Sequence, residues 1–141
     1  MKILFSLLSL CLFINFSFEN KGNITVSVQS MKNGQGDLII SIYKPSHNFP
    51  NEPFQFYTVA KKGRKNLSYE LKDLPYGTYS IVLLDDENKN MGMDYNFLGI
   101  PKEGYGFSNN VKPKLSTPKF SQCAFQLNSS TKAVSISMKY W

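Results

Sequence analysis

Ile24-Thr25-Val26-Ser27-Val28 places an apolar side chain at every second residue and a hydroxyl-bearing one between. Only an extended chain gathers such residues on one face, so the stretch is a half-buried strand and not a helix. The same period of two recurs downstream. Leu38, Ile40 and Ile42 stand opposite Ile39, Ser41 and Tyr43, and Pro45 closes that run. Phe54, Phe56 and Thr58 alternate with Gln55, Tyr57 and Val59, and Leu67, Tyr69 and Leu71 with Ser68 and Glu70. Tyr79, Ile81 and Leu83 form a fifth run, Ala124, Phe125 and Leu127 a sixth, and Val134, Ile136, Met138 and Tyr140 a seventh. Turn-forming stretches such as Lys32-Asn33-Gly34-Gln35-Gly36 and Asn128-Ser129-Ser130 separate them, and no segment has a convincing helical period. The expectation is an all-β fold: a seven-stranded antiparallel β-sandwich, immunoglobulin-like or transthyretin-like, with one long ordered loop. Within Leu74-Pro75-Tyr76-Gly77-Thr78-Tyr79 the last residue has the position of a corner tyrosine, ring in the core and hydroxyl on backbone upstream; a plain core tyrosine is the alternative.

Length and composition narrow the function. At 141 residues, 42% apolar and 18% charged, this is one globular domain's worth of chain. A single His and two Cys exclude zinc clusters, iron–sulfur motifs and most Cys–His chemistry. Sixteen Lys and Arg outnumber ten Asp and Glu, but the excess is spread out, with only Lys61, Lys62, Arg64 and Lys65 clustered around Gly63. That cluster reads as a solvated hairpin tip rather than a basic face, so no nucleic-acid partner is expected.

Lys2 precedes an apolar run from Ile3 to Phe18 that contains no charge. This is the form of a secretory signal, which divides the chain into a signal over residues 1–18 and a β-sandwich over residues 19–141. The expected location is exported: periplasmic, outer-surface or secreted. Leu8-Ser9-Leu10-Cys11 also resembles the bacterial lipid-attachment box, except that Leu10 stands where a small residue belongs. No other stretch approaches the roughly 20 apolar residues of a spanning helix, so no transmembrane helix is expected in the mature chain. Cleavage after the apolar run leaves Cys123 as the only thiol, and stability then rests on packing without a disulfide.

Between Leu84 and Ala124 the alternation stops for about forty residues, whereas connections in compact domains usually run to about 4–6. Asp85-Asp86-Glu87-Asn88-Lys89-Asn90-Met91-Gly92-Met93-Asp94 opens this segment, with oxygen-bearing side chains at alternate positions. Such a loop can turn several oxygens towards one hard cation, so Asp85, Asp86, Asn88, Asn90 and Asp94 are the candidate ligands for calcium. Asp and Asn also satisfy their own backbone in turns, and a polar turn is the competing reading. Further on, Phe97, Leu98, Ile100, Tyr105 and Phe107 are set among glycines and are expected to fold back over a sheet edge. Tyr105 and Phe107 could instead stack on a sugar ring or peptide, with Asn109 and Asn110 as hydrogen-bonding partners, making the loop a ligand platform.

Leu74-Pro75-Tyr76-Gly77-Thr78-Tyr79, the run Asp86 through Asp94, and Phe97-Leu98-Gly99-Ile100-Pro101-Lys102-Glu103-Gly104-Tyr105-Gly106-Phe107-Ser108-Asn109-Asn110 together resemble the bacterial family called domain of unknown function 2141. The resemblance spans about Ile24 to Trp141 and implies a small exported sandwich protein without an assigned reaction. The family usually has His where this chain has Asp85, and favours Gly where it has Met91. The functional expectation is a non-catalytic exported binding or envelope-associated module, with a glycan or an envelope protein as partner. A carboxylate-dependent glycan-acting enzyme using Asp86, Asp94 and Glu103 is the rival, and a structural subunit of a surface assembly joined through sheet edges is a third reading. His47 sits between Pro45 and Pro50 with no partner apparent in the sequence.

Overall fold

The computed structural model describes residues 19–114 and 116–141; the expected export segment, Cys11 included, lies outside the described residues. Among the described residues the chain is mostly β, in two sheets and without a barrel. The strands are β1 (Lys21–Gln29), β2 (Asp37–Tyr43), β3 (Gln55–Ala60), β4 (Leu67–Pro75), β5 (Gly77–Asp86), β6 (Gly104–Phe107), β7 (Phe125–Leu127) and β8 (Thr131–Ser137). A 3-10 turn (Ser108–Asn110) and a one-turn helix, α1 (Phe120–Cys123), complete the elements. One sheet has the order β4-β1-β8; the other runs β3-β2-β5-β6, with β7 also paired to β5. No helix among these residues is long and apolar enough to cross a membrane.

The seven expected runs are all strands, and two details differ from expectation. The first is an eighth strand inside the segment that looked strandless. In β6 the period of two is present but inverted: glycines face inward and aromatic rings outward. A Cβ on Gly104 would stand 2.3 Å from the Tyr140 ring, and one on Gly106 2.8 Å from Ile136. Only glycine lets β6 lie that close to the core. The second is the pairing of β1 with β8, which is parallel from Asn23↔Thr131 to Gln29↔Ser137, whereas every other strand pairing is antiparallel. The chain reaches β8 from β7, on the other sheet, and the turn at Ser129 and Ser130 delivers it beside the start of β1. Asn23 donates its backbone N–H to the Ser130 carbonyl at 2.9 Å. Gly22 makes that approach possible, since a Cβ there would lie 2.3 Å from the Ser129 carbonyl oxygen.

The two sheets enclose one core. Ile24, Val26 and Val28 of β1, Leu38, Ile40 and Ile42 of β2, Tyr79, Ile81 and Leu83 of β5, and Val134 and Ile136 of β8 belong to a single buried cluster. Each such aliphatic side chain contributes about 1.5–3 kcal/mol by leaving water. Tyr79 is a corner tyrosine: its ring is buried and its hydroxyl donates to the Pro75 carbonyl at 2.6 Å.

One polar network enters this interior. Lys61, expected in a solvated tip, is fully buried, while its neighbours Lys62, Arg64 and Lys65 are exposed. Its ammonium pairs with the Asp85 carboxylate, itself fully buried, and the second Asp85 oxygen accepts from the Tyr140 hydroxyl. That hydroxyl in turn accepts from the Lys32 backbone N–H at 2.8 Å. A buried charge is tolerated only when paired and hydrogen-bonded, and here both conditions are met by segments distant in sequence. Lys61→Met leaves the Asp85 carboxylate without its counter-ion and is expected to cost about 3–5 kcal/mol in urea unfolding. Adding Asp85→Leu to that variant should recover most of the loss; a double variant as unstable as the single one would contradict this account.

Burial pushes the Cys123 thiol up to about 11, and burial followed by the Asp85 hydrogen bond raises the Tyr140 phenol. Both folded-state values exceed the unfolded ones of 9.0 and 10.0. The folded chain therefore holds these protons more tightly, and the resulting stability is complete below those values and disappears as pH rises through the folded ones. Urea midpoints measured from neutral pH into the alkaline range should stay flat at first and then fall once the pH passes about 9.

Candidate functional site

A strand with water on one side carries polar residues there, but β2 and β5 also place large apolar ones on that side. Their outward positions include Ile39 and Tyr43 in β2, and Val82 and Leu84 in β5. Strand register assembles these into two rows across the outer face of the five-stranded sheet. Thr58, Ile39, Leu84 and Tyr105 form one row, and Phe56, Ser41, Val82 and Phe107 the next. The inverted pattern of β6 thus has a purpose on this side as well, since it contributes the two aromatic rings.

These rows are the floor of a groove of about 810 Å³. Met91, Met93, Tyr95, Ile100 and Pro101 of the long loop make one wall; Pro50, Asn51, Pro53, Pro113 and Lys114 supply others, with Trp141 also lining it. One end is closed by aromatic packing. Phe49 meets Tyr43 edge-on at 4.9 Å between centroids and Phe120 edge-on at 6.0 Å, with Phe107 tilted against it at 6.5 Å, and the Tyr43 hydroxyl donates to the Pro50 carbonyl at 2.7 Å. The size lies in the range of small-molecule sites, about 300–1,000 Å³, and the mainly apolar lining with few polar groups is their usual composition.

The acidic half of the long loop is held by its own hydrogen bonds. The two Asp86 oxygens accept from the backbone N–H of Asn90 at 3.1 Å and of Met91 at 2.9 Å. Asn88 Oδ1 accepts from Asn90 N–H, and Asn90 Oδ1 from Gly92 N–H, each at 3.0 Å. Asp94 accepts from the side-chain amides of Asn88 and Asn90. Glu103, buried beneath, takes Glu87 N–H on one oxygen and Asp94 N–H on the other, at 3.1 and 3.2 Å. Lys89 and Met91 adopt left-handed backbone at φ 63° and 64° inside this network.

This arrangement does not fit a calcium cage. Calcium needs about 6–8 oxygens turned to one centre. Of the expected ligands, Asp85 points into the interior towards Lys61 and Tyr140, and the oxygens of Asp86, Asn88, Asn90 and Asp94 face N–H donors of the loop itself. Among the described residues no group of three or more His, Cys, Asp and Glu side chains is placed to hold a metal ion. The same bonds employ Asp86, Asp94 and Glu103 as loop staples rather than as an acid and base pair facing a cleft.

The expected ligand platform divides. Tyr105 and Phe107 line the groove, 5.9 Å apart between centroids. Asn109 and Asn110 do not join them. The Asn109 amide donates to the Gln122 and Ala124 carbonyls, and Asn110 donates to the Ser135 carbonyl while accepting from Ser137 N–H, so both hold the turn after β6 against α1 and β8. Ile100 packs into the groove wall as expected, but Phe97 and Leu98 point into solvent. The residues that sequence reasoning missed are Ile39, Val82 and Leu84. Their signal was the apolar content of both alternating sets in Leu38–Tyr43 and Tyr79–Leu84.

Residues 26–135 match the family model described as an uncharacterized protein conserved in bacteria (DUF2141), and the chain belongs to that family. No curated protein and no solved structure matches it at a significant level. On the loop geometry, millimolar calcium or a chelator should leave the thermal unfolding midpoint unchanged; a rise in the midpoint with added calcium would show that the loop oxygens reorganise around the ion.

Proposed function

We propose that this member of the bacterial family is exported and serves as a non-catalytic binding module, on a β-sandwich of immunoglobulin-like or transthyretin-like kind. Its groove takes an elongated amphipathic small molecule with an apolar body and an anionic end. The observation that carries this reading is the pair of apolar rows on the outer face of the five-stranded sheet, Ile39–Leu84–Tyr105 and Phe56–Val82–Phe107, walled by loops instead of being covered by them. Placing that area against water is unfavourable by roughly 25 cal/mol per Å², and an apolar ligand body removes the cost. Lys114 is the one charged residue among the described residues that line the groove, which suits a carboxylate or similar head group.

The non-catalytic part rests on what the reactive side chains are doing. Asp86, Asp94 and Glu103 each accept from two N–H donors of their own loop. The His47 ring packs edge-on against Phe54 at 5.5 Å, with Ser46 beside its Nδ1. Cys123 is buried with its thiol raised to about 11, which keeps it protonated and unreactive at neutral pH. A glycan stacked on Tyr105 is the second reading, favoured by the ring's place in the groove.

Titration with a dansyl-labelled undecanoic acid distinguishes the two. The expected result is saturable, blue-shifted emission at one site per chain, displaced by unlabelled long-chain carboxylates and not by oligosaccharides. Leu84→Asp should weaken binding at least about tenfold, and Lys114→Ala should weaken the carboxylate but not the corresponding alcohol. Displacement by oligosaccharides alone, or no saturable binding, would overturn the amphiphile reading.

A further inference from the structure

The hairpin from Tyr95 to Pro101 projects from the groove rim and is apolar where it meets water. Phe97 is 95% exposed and Leu98 67%. Neither is there through looseness. Asn96 Oδ1 accepts from Leu98 N–H at 2.9 Å and from Ile100 N–H at 3.0 Å, and Asn96 N–H donates to the Ile100 carbonyl at 2.9 Å. Gly99, at φ 76°, turns the chain and donates to the Asn96 carbonyl at 2.9 Å, while Tyr95 pairs with Pro101 at the base. The tip is a rigid mount for two side chains that contribute nothing to the core.

The surroundings repeat the character of the tip. Seven large hydrophobic residues are exposed among those described, and five belong to this rim: Met91, Tyr95, Phe97, Leu98 and Trp141. Two basic side chains stand beside them. Lys102 stands at the foot of the hairpin and Lys114 on the groove, and neither has an ion-pair partner among the described residues. The nearby Asp94 and Glu103 carboxylates are turned onto the loop's own donors, Asp94 onto two Asn amides and Glu103 onto the Glu87 and Asp94 N–H groups. A convex tip of two side chains covers far less than the roughly 1,000 Å² that a stable protein interface buries, but it suits the boundary of a lipid layer. There, large apolar residues such as Phe and Leu enter the acyl boundary, Tyr and Trp sit at head-group level, and Lys meets anionic lipid.

We infer that the Tyr95–Pro101 hairpin inserts Phe97 and Leu98 into the interface of an anionic lipid bilayer, with Tyr95 and Trp141 at head-group depth and Lys102 and Lys114 against the lipid phosphates. Lys114 and Trp141 also line the groove, but Phe97 and Leu98 do not, so variants at the tip test this surface without touching the groove floor. Trp141 is the only tryptophan in the chain and reports on this rim whatever residues 1–18 do.

The test titrates the full chain with vesicles of phosphatidylcholine containing about a third phosphatidylglycerol. Expected are a blue shift of Trp141 emission and quenching by brominated acyl chains. Apparent partitioning should fall at least about tenfold in pure phosphatidylcholine or high salt, since screening removes the Lys–phosphate attraction. Phe97→Ser with Leu98→Ser should abolish the shift and the quenching while leaving the thermal midpoint unchanged, because both residues are solvated in the folded chain. Leu84→Asp, which disables the groove, should leave the Trp141 response intact. Trp141 emission unaffected by any vesicle, a response retained in the Phe97 and Leu98 double variant, or a concentration-dependent dimer abolished by that variant in place of vesicle binding would each overturn the inference.

Discussion

A strand that is apolar on both faces has to be covered twice, and β5 is such a strand. Tyr79, Ile81 and Leu83 look inward to the core, while Val82 and Leu84 look outward. The inward set is answered by the opposing sheet, through Ile24, Val26 and Val28 of β1 and Val134 and Ile136 of β8. The outward set has no third sheet to meet. The long segment after β5 therefore returns along it as β6, adds Tyr105 and Phe107 to the same surface, and raises walls around it without closing over it. Fold and groove follow from one requirement, the removal of apolar area from water on both sides of a central strand.

The polar chemistry is arranged so that this apolar surface is not interrupted. Lys61, Asp85 and Tyr140 form their network on the inner side, where it joins the end of β5 to the chain's last residues and to the segment after β3. Asp86, Asn88, Asn90, Asp94 and Glu103 turn their oxygens onto the loop's own N–H groups. Each polar group is answered within a few residues or by one buried partner. What remains facing the groove is mostly carbon, with Lys114 as its charged edge.

Much of the fold was legible because alternation with inward apolar residues is a direct record of a half-buried strand. Every run read that way is a strand. The failures have a common cause: the pattern shows which residues are apolar but not which side they serve. β6 was missed because its inward residues are glycines, chosen for the close approach of Tyr140 and Ile136. The groove floor was missed because Ile39, Val82 and Leu84 look like ordinary strand composition until register aligns them with Tyr105 and Phe107. Lys61 was read as solvated because nothing local announces a partner 24 residues away in Asp85. The acidic loop carried two chemically sound readings, and only the direction of its oxygens separates them, a matter of backbone geometry that composition does not record.

The exposed rim bears on whether the groove is a packing fault or a working surface. Met91 holds a left-handed backbone, which costs an ordinary residue roughly 1–2 kcal/mol and glycine almost nothing. This chain nonetheless keeps a large thioether there, exposed on the groove wall. Phe97 is likewise held out in water although the same hairpin folds Ile100 back into the groove wall, so the backbone has a route for burying side chains and does not use it for this one. A fold minimising its own free energy would relieve both. Strain at Met91 and exposure at Phe97, on a loop held by its own hydrogen bonds, are the features that the proposed contact with something less polar than water would use.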